Sequence, residues 1–268
     1  MNLISCMSAN YVARQLNYQM TGGWGQGETA TNLYFKPIRT FPLRFEALLK
    51  EIQDAGFDAL DCWLAHLNPT WASPDHVEAA HELLEAYGMS IVSLAGGMGR
   101  TPEEFEAICE LAGAVGAPVL GGGCPLLATD RELVIGLLQK YGLKLAIENH
   151  PEQNPEEMLA KIGNGGEGML GTAVDTGWYA TQGYDAAQAI RRLGPAIFHV
   201  HLKDVRAVGG HETCRLGDGV VPVRECIRVL VEINYTGAIS IEHEPESYNP
   251  DEDLKASRSL LVDWLDEL

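Results

Sequence analysis

Leu145-Ala146-Ile147-Glu148, Thr172-Ala173-Val174-Asp175, Phe198-His199-Val200-His201 and Ile239-Ser240-Ile241-Glu242 are four short apolar runs, each ending in a side chain able to ligate a metal. The intervals between their terminal residues are 27, 26 and 41. A strand with its return helix occupies roughly 25 to 35 residues, since a βαβ unit takes about 30 or more. The four polar residues therefore fall at the same place in four successive units. Two Glu, one Asp and one His at neighbouring parallel strand ends make a hard, oxygen-rich site for a divalent cation.

The same alternation runs through the whole chain. Strand-like runs stand at 3–7, 57–62, 90–95, 117–121, 144–148, 170–175, 196–202 and 238–242. Amphipathic segments separate them at about 43–55, 75–87, 102–115, 130–141, 155–162, 184–193, 222–234 and 251–267. Phe105, Ile108, Leu111, Ala112 and Val115 recur at helical spacing behind the start signal Thr101-Pro102-Glu103-Glu104. Asp130 and Asp185 stand as N-caps, and Gly88, Gly116 and Gly142 as helix stops. Eight strands and eight helices in strict alternation predict an α/β fold, a (β/α)8 TIM barrel, in one domain over 1–268. The alternative, an open doubly wound sheet, spreads four consecutive strand ends along a line and does not gather them round one ion.

Composition narrows the function. The formal charge is −18, from 37 acidic and 19 basic residues, which disfavours nucleic acid and anionic membrane as partners. The sequence shows no run of membrane-span length and no secretory pattern at its start, so a cytoplasmic location is expected. The cysteines at 6, 62, 109, 124, 214 and 226 lack C-x-x-C spacing and read as reduced, mostly buried thiols.

Two connections are long. Ser8 to Phe41 carries Tyr11, Tyr18, Trp24, Tyr34 and Phe35 around Gly22-Gly23-Trp24-Gly25-Gln26-Gly27. Its aromatic content reads as a lid or pocket wall, with Trp24 a substrate-binding candidate and a homo-oligomer contact as the alternative. Lys203 to Val221 carries His211, Arg215 and Gly217-Asp218-Gly219.

Barrel loops after the strands share one face, so the four terminal side chains converge there. The set Glu148, Asp175, His201 and Glu242 suits one divalent ion, Mn2+ first, with Mg2+, Co2+ and Zn2+ as alternatives. His199/His201 and Glu242/Glu244 each point the same way by strand alternation. His201 and Glu242 are preferred because their spacing matches the βα unit.

Ile147-Glu148-Asn149-His150, Val174-Asp175-Thr176-Gly177, His201-Leu202-Lys203-Asp204, Gly217-Asp218-Gly219 and Ile241-Glu242 resemble, in this order and spacing, the sugar phosphate isomerase/epimerase superfamily of xylose isomerase-like TIM barrels. The resemblance implies metal ligation by Glu148, Asp175, His201 and Glu242, with the two Glu also shuttling a proton as in the superfamily's epimerases. Many members carry a His three residues after the Asp, where this chain has Trp178. Abasic-site nucleases of the same fold have an Asp-x-His before the Gly-x-Gly, where this chain reads His211-Glu212-Thr213.

The implied reaction is isomerisation or epimerisation of a keto-sugar or keto-polyol through an enediolate, with a small sugar or polyol as substrate. The alternative is β-elimination from a 3-oxo-glycoside or inosose by the same metal and base. Glu148, Glu242 and His150 are the catalytic candidates, and Trp178, Lys203, Arg215 and Trp24 the substrate-binding ones. Asp61, Trp63 and His66, near the end of the second strand, are weaker pocket candidates. Gly121-Gly122-Gly123 is the loose candidate for a phosphate loop, and with no Arg beside it an unphosphorylated substrate is expected.

Overall fold

A computed structural model describes residues 2–268. Eight parallel strands close into a barrel: β1 Ile4–Met7, β2 Ala59–Trp63, β3 Ser90–Ala95, β4 Val119–Gly121, β5 Lys144–Glu148, β6 Leu170–Asp175, β7 Ile197–Val205 and β9 Ile239–Glu242. Each pairs with the next, β7 pairs with β9, and β9 pairs with β1, which completes the ring. The two-residue β8, Thr213–Cys214, runs antiparallel to the extended end of β7. The helices are α1 Trp24–Phe35, α2 Phe41–Asp54, α3 Pro74–Tyr87, α4 Pro102–Val115, α5 Arg131–Tyr141, α6 Pro155–Ile162, α7 Thr176–Thr181, α8 Ala186–Leu193, α9 Val223–Glu232 and α10 Asp251–Asp266.

The eightfold alternation is the observed (β/α)8 barrel. The start and stop chemistry also acts as read: Thr101, Asp130 and Asp185 cap α4, α5 and α8, and Gly88, Gly116 and Gly142 end helices in the left-handed conformation. In α4, the periodic apolar residues are the buried ones, and each such burial stabilises by about 1.5–3 kcal/mol. All six cysteines are buried and free.

The inward-facing residues are less apolar than in most barrels, whose interiors are dominated by Val, Ile and Leu. Ser5, Asp61, Ser93, His199 and Ser240 are all buried, and they form a polar layer one step below the mouth. Above it the register divides the mouth in two. Met7, Trp63 and Ala95 belong to an apolar cluster on the β1–β3 side. Asp175 pairs with His201, and Lys203 with Glu242, on the other side.

Two connections differ from the expected ones. The Ser8–Phe41 segment is largely helical, holding two short 3-10 turns and α1. Gly25 and Gly27 in the first turn of α1 hide it from a propensity reading. Gly27 is required there, because a Cβ would sit 2.5 Å from the Val12 carbonyl oxygen. The second connection starts later than expected, since β7 continues through Lys203 to Val205.

Asp204 is wholly buried, and its carboxylate accepts the backbone N–H groups of Val205, Gly217, Gly219 and Val221 at 2.9–3.0 Å. A side chain at 219 would collide with it, so Gly217-Asp218-Gly219 is the wrapping of a carboxylate cage. Asp204→Ala leaves buried donors unpaired and should cost about 3 kcal/mol or more. Urea denaturation measures this, and a loss below about 0.5 kcal/mol would count against the cage.

Candidate metal centre

Glu148, Asp175 and Glu242 at three strand ends converge with His201, which sits inside the longer β7. Asn149, directly after Glu148, is buried and clamps β6: its amide donates to the Asp175 carbonyl at 3.1 Å, and its oxygen accepts the Asp175 N–H at 2.7 Å. Asp175 ends β6 and caps α7 at once. Its Oδ1 accepts the Trp178 N–H at 2.9 Å, and its Oδ2 lies 3.1 Å from His150 Nε2. His201 Nδ1 lies 2.6 Å from Glu148 Oε1 and 3.2 Å from Glu242 Oε2. Lys203 reaches up the same face, with Nζ 2.8 Å from Glu242 Oε1, 3.1 Å from Glu244 Oε2 and 3.5 Å from Asp175 Oδ2. Gly177 gives its stem passage, since a Cβ there would stand 2.7 Å from Lys203 Cγ.

Glu148, His201 and Glu242 offer ligand atoms within 4.8 Å of one another, and so do Glu148, His150 and Asp175. These donors fit a hard divalent ion. Glu242 Oε2 is buried and, despite its nearness to His201, makes no hydrogen bond. A buried carboxylate oxygen without a partner is costly, and a cation among these groups would satisfy it. His199 is one layer deeper, with Nε2 2.7 Å from Asp61 Oδ2, and it is His201 that meets Glu148 and Glu242.

The remaining candidates separate. Trp178 lies on the rim, its ring 4.3 Å from His150 and 5.5 Å from His211, pinned by its Nε1 donating to the Glu152 carbonyl. Trp24, at the start of α1, packs on Trp63 at 4.9 Å and donates from Nε1 to Glu244 Oε1 at 3.2 Å. Lys203 pairs with Glu242, Glu244 and Asp175. Arg215 is not brought into the cluster: its guanidinium is exposed and turned to Asp218 at 3.0 Å. The Asp204 cage presses its loop against α10, where the Leu216 N–H donates to Ser257. Asp61 and His66 are corrections. Asp61 is in the barrel interior, while His66 is buried among Ser8, Phe35 and Trp63. Gly122 is where strands approach too closely for a side chain. Its N–H is spent on the Ala146 carbonyl, which leaves it no donor for a phosphate.

Two clefts lie elsewhere, one of about 780 Å³ between α3 and α4 and one of about 480 Å³ at the opposite barrel end. The first is lined by Glu78, His81, Glu82 and Glu110, but among the described residues these do not bring three ligand atoms together as the mouth residues do, so chemistry rather than concavity marks the centre.

Charge couples the cluster. Burial and the neighbouring Glu244 push the Glu242 carboxyl up to about 8, against the pull of Lys203 and His201. Burial would also raise Glu148 and Asp175, but it is outweighed. The cationic His201 and His150 hold Glu148 below its ordinary value, and Lys203 and His150 hold Asp175 well below. Burial opposes the charged form of His201, yet Glu242 and Glu148 raise it well above the ordinary histidine value. Glu242 and His201 face each other at 3.2 Å, so the protonation of one bears on that of the other.

A family model described as the xylose isomerase-like TIM barrel matches residues 49–266. The chain belongs to that family. Within the xylose isomerase-like barrels it is similar to an inosose dehydratase of Clostridium perfringens, 23% identical over 84% of this chain and 80% of that protein. It is also similar to an inosose dehydratase of Lactiplantibacillus plantarum, 30% identical over 41% of this chain; that match spans 44% of the relative's length. A solved L-ribulose 3-epimerase superposes with a TM-score of 0.72, at 15% identity, covering 100% of this chain and 95% of that one. Among the described residues no helix is long and apolar enough to cross a membrane.

Metal ligands must be deprotonated, so loading this centre should release protons. With Glu242 titrating near 8 and His201 raised, the metal-free cluster holds protons at pH 7 that an ion must displace. Mn2+ affinity should rise from pH 6 to pH 8, with net proton release at pH 7. Calorimetry in buffers of different ionisation enthalpy measures both, and a flat affinity across that range would contradict the coupling.

Proposed function

We propose that this protein is a divalent-metal-dependent isomerase or epimerase of an unphosphorylated keto-sugar or keto-polyol. The supporting observation is that Glu148 and Glu242 flank Asp175 and His201 on one arc of the mouth, both meeting His201 Nδ1. In this reading Glu148, Asp175, His201 and Glu242 hold the ion, with Mn2+ first among the hard cations. When bound, a divalent ion polarises the substrate carbonyl and stabilises charge on its oxygen.

The chain's own groups do the rest. One of Glu148 and Glu242 removes the proton from the carbon beside the carbonyl, and the other returns a proton to the enediolate at the neighbouring carbon or on the opposite face. His150, 3.7 Å from Glu148 Oε2 and 3.1 Å from Asp175 Oδ2, orients a substrate hydroxyl. Lys203 donates to a substrate oxygen. Trp178 and Trp24 offer aromatic faces to the ring carbons. The three carboxylates around Lys203 and the spent N–H of Gly122 disfavour a phosphate.

Elimination is the second reading, and two observations favour it: the similarity to inosose dehydratases, and the Lys203 ammonium beside Glu242, able to protonate a leaving oxygen. Mn2+-loaded protein incubated with keto-sugars and inososes in deuterated water separates the two. Isomerisation brings deuterium into carbon with the molecule otherwise intact, whereas elimination brings loss of water or of an aglycone. Glu148→Gln and Glu242→Gln should each lower turnover by about 10²–10⁴-fold. Near-normal rates in either would remove that residue from the proton transfer.

A further inference from the structure

Asp61 lies on β2, across the barrel from β7, and is completely buried. Its Oδ2 lies 3.0 Å from His201 Nε2 and 2.7 Å from His199 Nε2, and its Oδ1 accepts the Ser93 hydroxyl. Ser240 Oγ, 3.1 Å from His199 Nε2, steadies that imidazole from β9. A carboxylate set this deep costs stability unless each oxygen is satisfied, and here both are. Its two imidazole partners are not equivalent. His199 ends in the interior, whereas His201 turns its other nitrogen to Glu148 and Glu242.

Both ring nitrogens of His201 face a carboxylate, so which of them becomes free matters once an ion binds. The Glu148 carboxylate, 2.6 Å away, draws a proton to Nδ1. Asp61 draws one to Nε2. Only with the proton on Nε2 does the Nδ1 lone pair face the carboxylate cluster. We propose that Asp61 is a positioning residue: it holds His201 as the Nε2–H tautomer and so presents Nδ1 to the metal, with His199 and Ser93 fixing the carboxylate. The inference rests on the reading of His201 as a metal ligand, and it deepens that reading. Outer partners of this kind set ligand orientation, and their loss typically weakens metal binding about 10–100-fold.

The first test uses the full chain and Mn2+ alone. Calorimetric titration of wild type and Asp61→Asn should show affinity at least about tenfold weaker in the variant. The melting temperature of the metal-free forms is recorded alongside. A variant that melts lower but binds Mn2+ within twofold of wild type would make Asp61 structural only and overturn the inference. Should the variant fail to fold, wild type decides alone. Long-range 15N correlation spectra of the Zn2+-loaded, histidine-labelled protein, with His201 assigned from His201→Gln, should show Nε2 protonated and Nδ1 shifted by the metal. A proton on Nδ1, or ligation through Nε2, would overturn it. Wild type that binds no divalent ion sinks the metal reading itself, which is a separate failure.

Discussion

Four carboxylates, those of Glu148, Asp175, Glu242 and Glu244, crowd one side of a barrel mouth, and like charges this close cannot all remain ionised without cations among them. His201 and Lys203 supply positive charge from one face of β7, two residues apart, and His150 supplies a third group from the β5 loop. Much of the local architecture serves this balance. Asn149 ties β5 to β6, Gly177 lets the lysine stem pass, and the Asp204 cage fixes the loop after β7. The cluster could thus hold a cation, and its buried Glu242 oxygen without a hydrogen-bond partner is where neutralisation by side chains alone falls short.

The mouth is also two-sided. Its β5–β9 half is ionic, while its β1–β3 half is apolar, with Trp63 beneath the exposed Trp24. A sugar or polyol has the same division between hydroxyl edges and carbon faces. Trp24 joins the halves, because its indole rests on Trp63 and its N–H reaches Glu244, which also holds Lys203. The start of α1 is thereby tied by a hydrogen bond to the carboxylate that also holds Lys203.

Much of this was legible in the residues. The barrel followed from alternation, and the strand ends at Glu148, Asp175 and Glu242 from their spacing, because a βα repeat fixes both, whereas β7 runs past His201 to Val205. Local signals were also reliable at Thr101, Asp130 and Asp185, where a cap acts within one turn. What the chain order hid was set by contact across the barrel. Asp61 read as a pocket residue, because nothing near it in sequence reveals the imidazoles of β7. Arg215 read as a substrate contact, because the cage that turns its loop toward α10 is visible only in three dimensions. Helix α1 was obscured by glycines that serve its close approach to Val12, a packing demand that outweighs helix propensity.

The central claim is that Glu148, Asp175, His201 and Glu242 share one divalent ion. Anomalous diffraction from crystals grown with Mn2+ tests it most directly. The account predicts a single strong peak at the β5–β9 side of the mouth, about 2.0–2.6 Å from a carboxylate oxygen of each acid and from His201 Nδ1. A peak ligated instead by Asp61 and His199, or no peak at that mouth at saturating Mn2+, would contradict it.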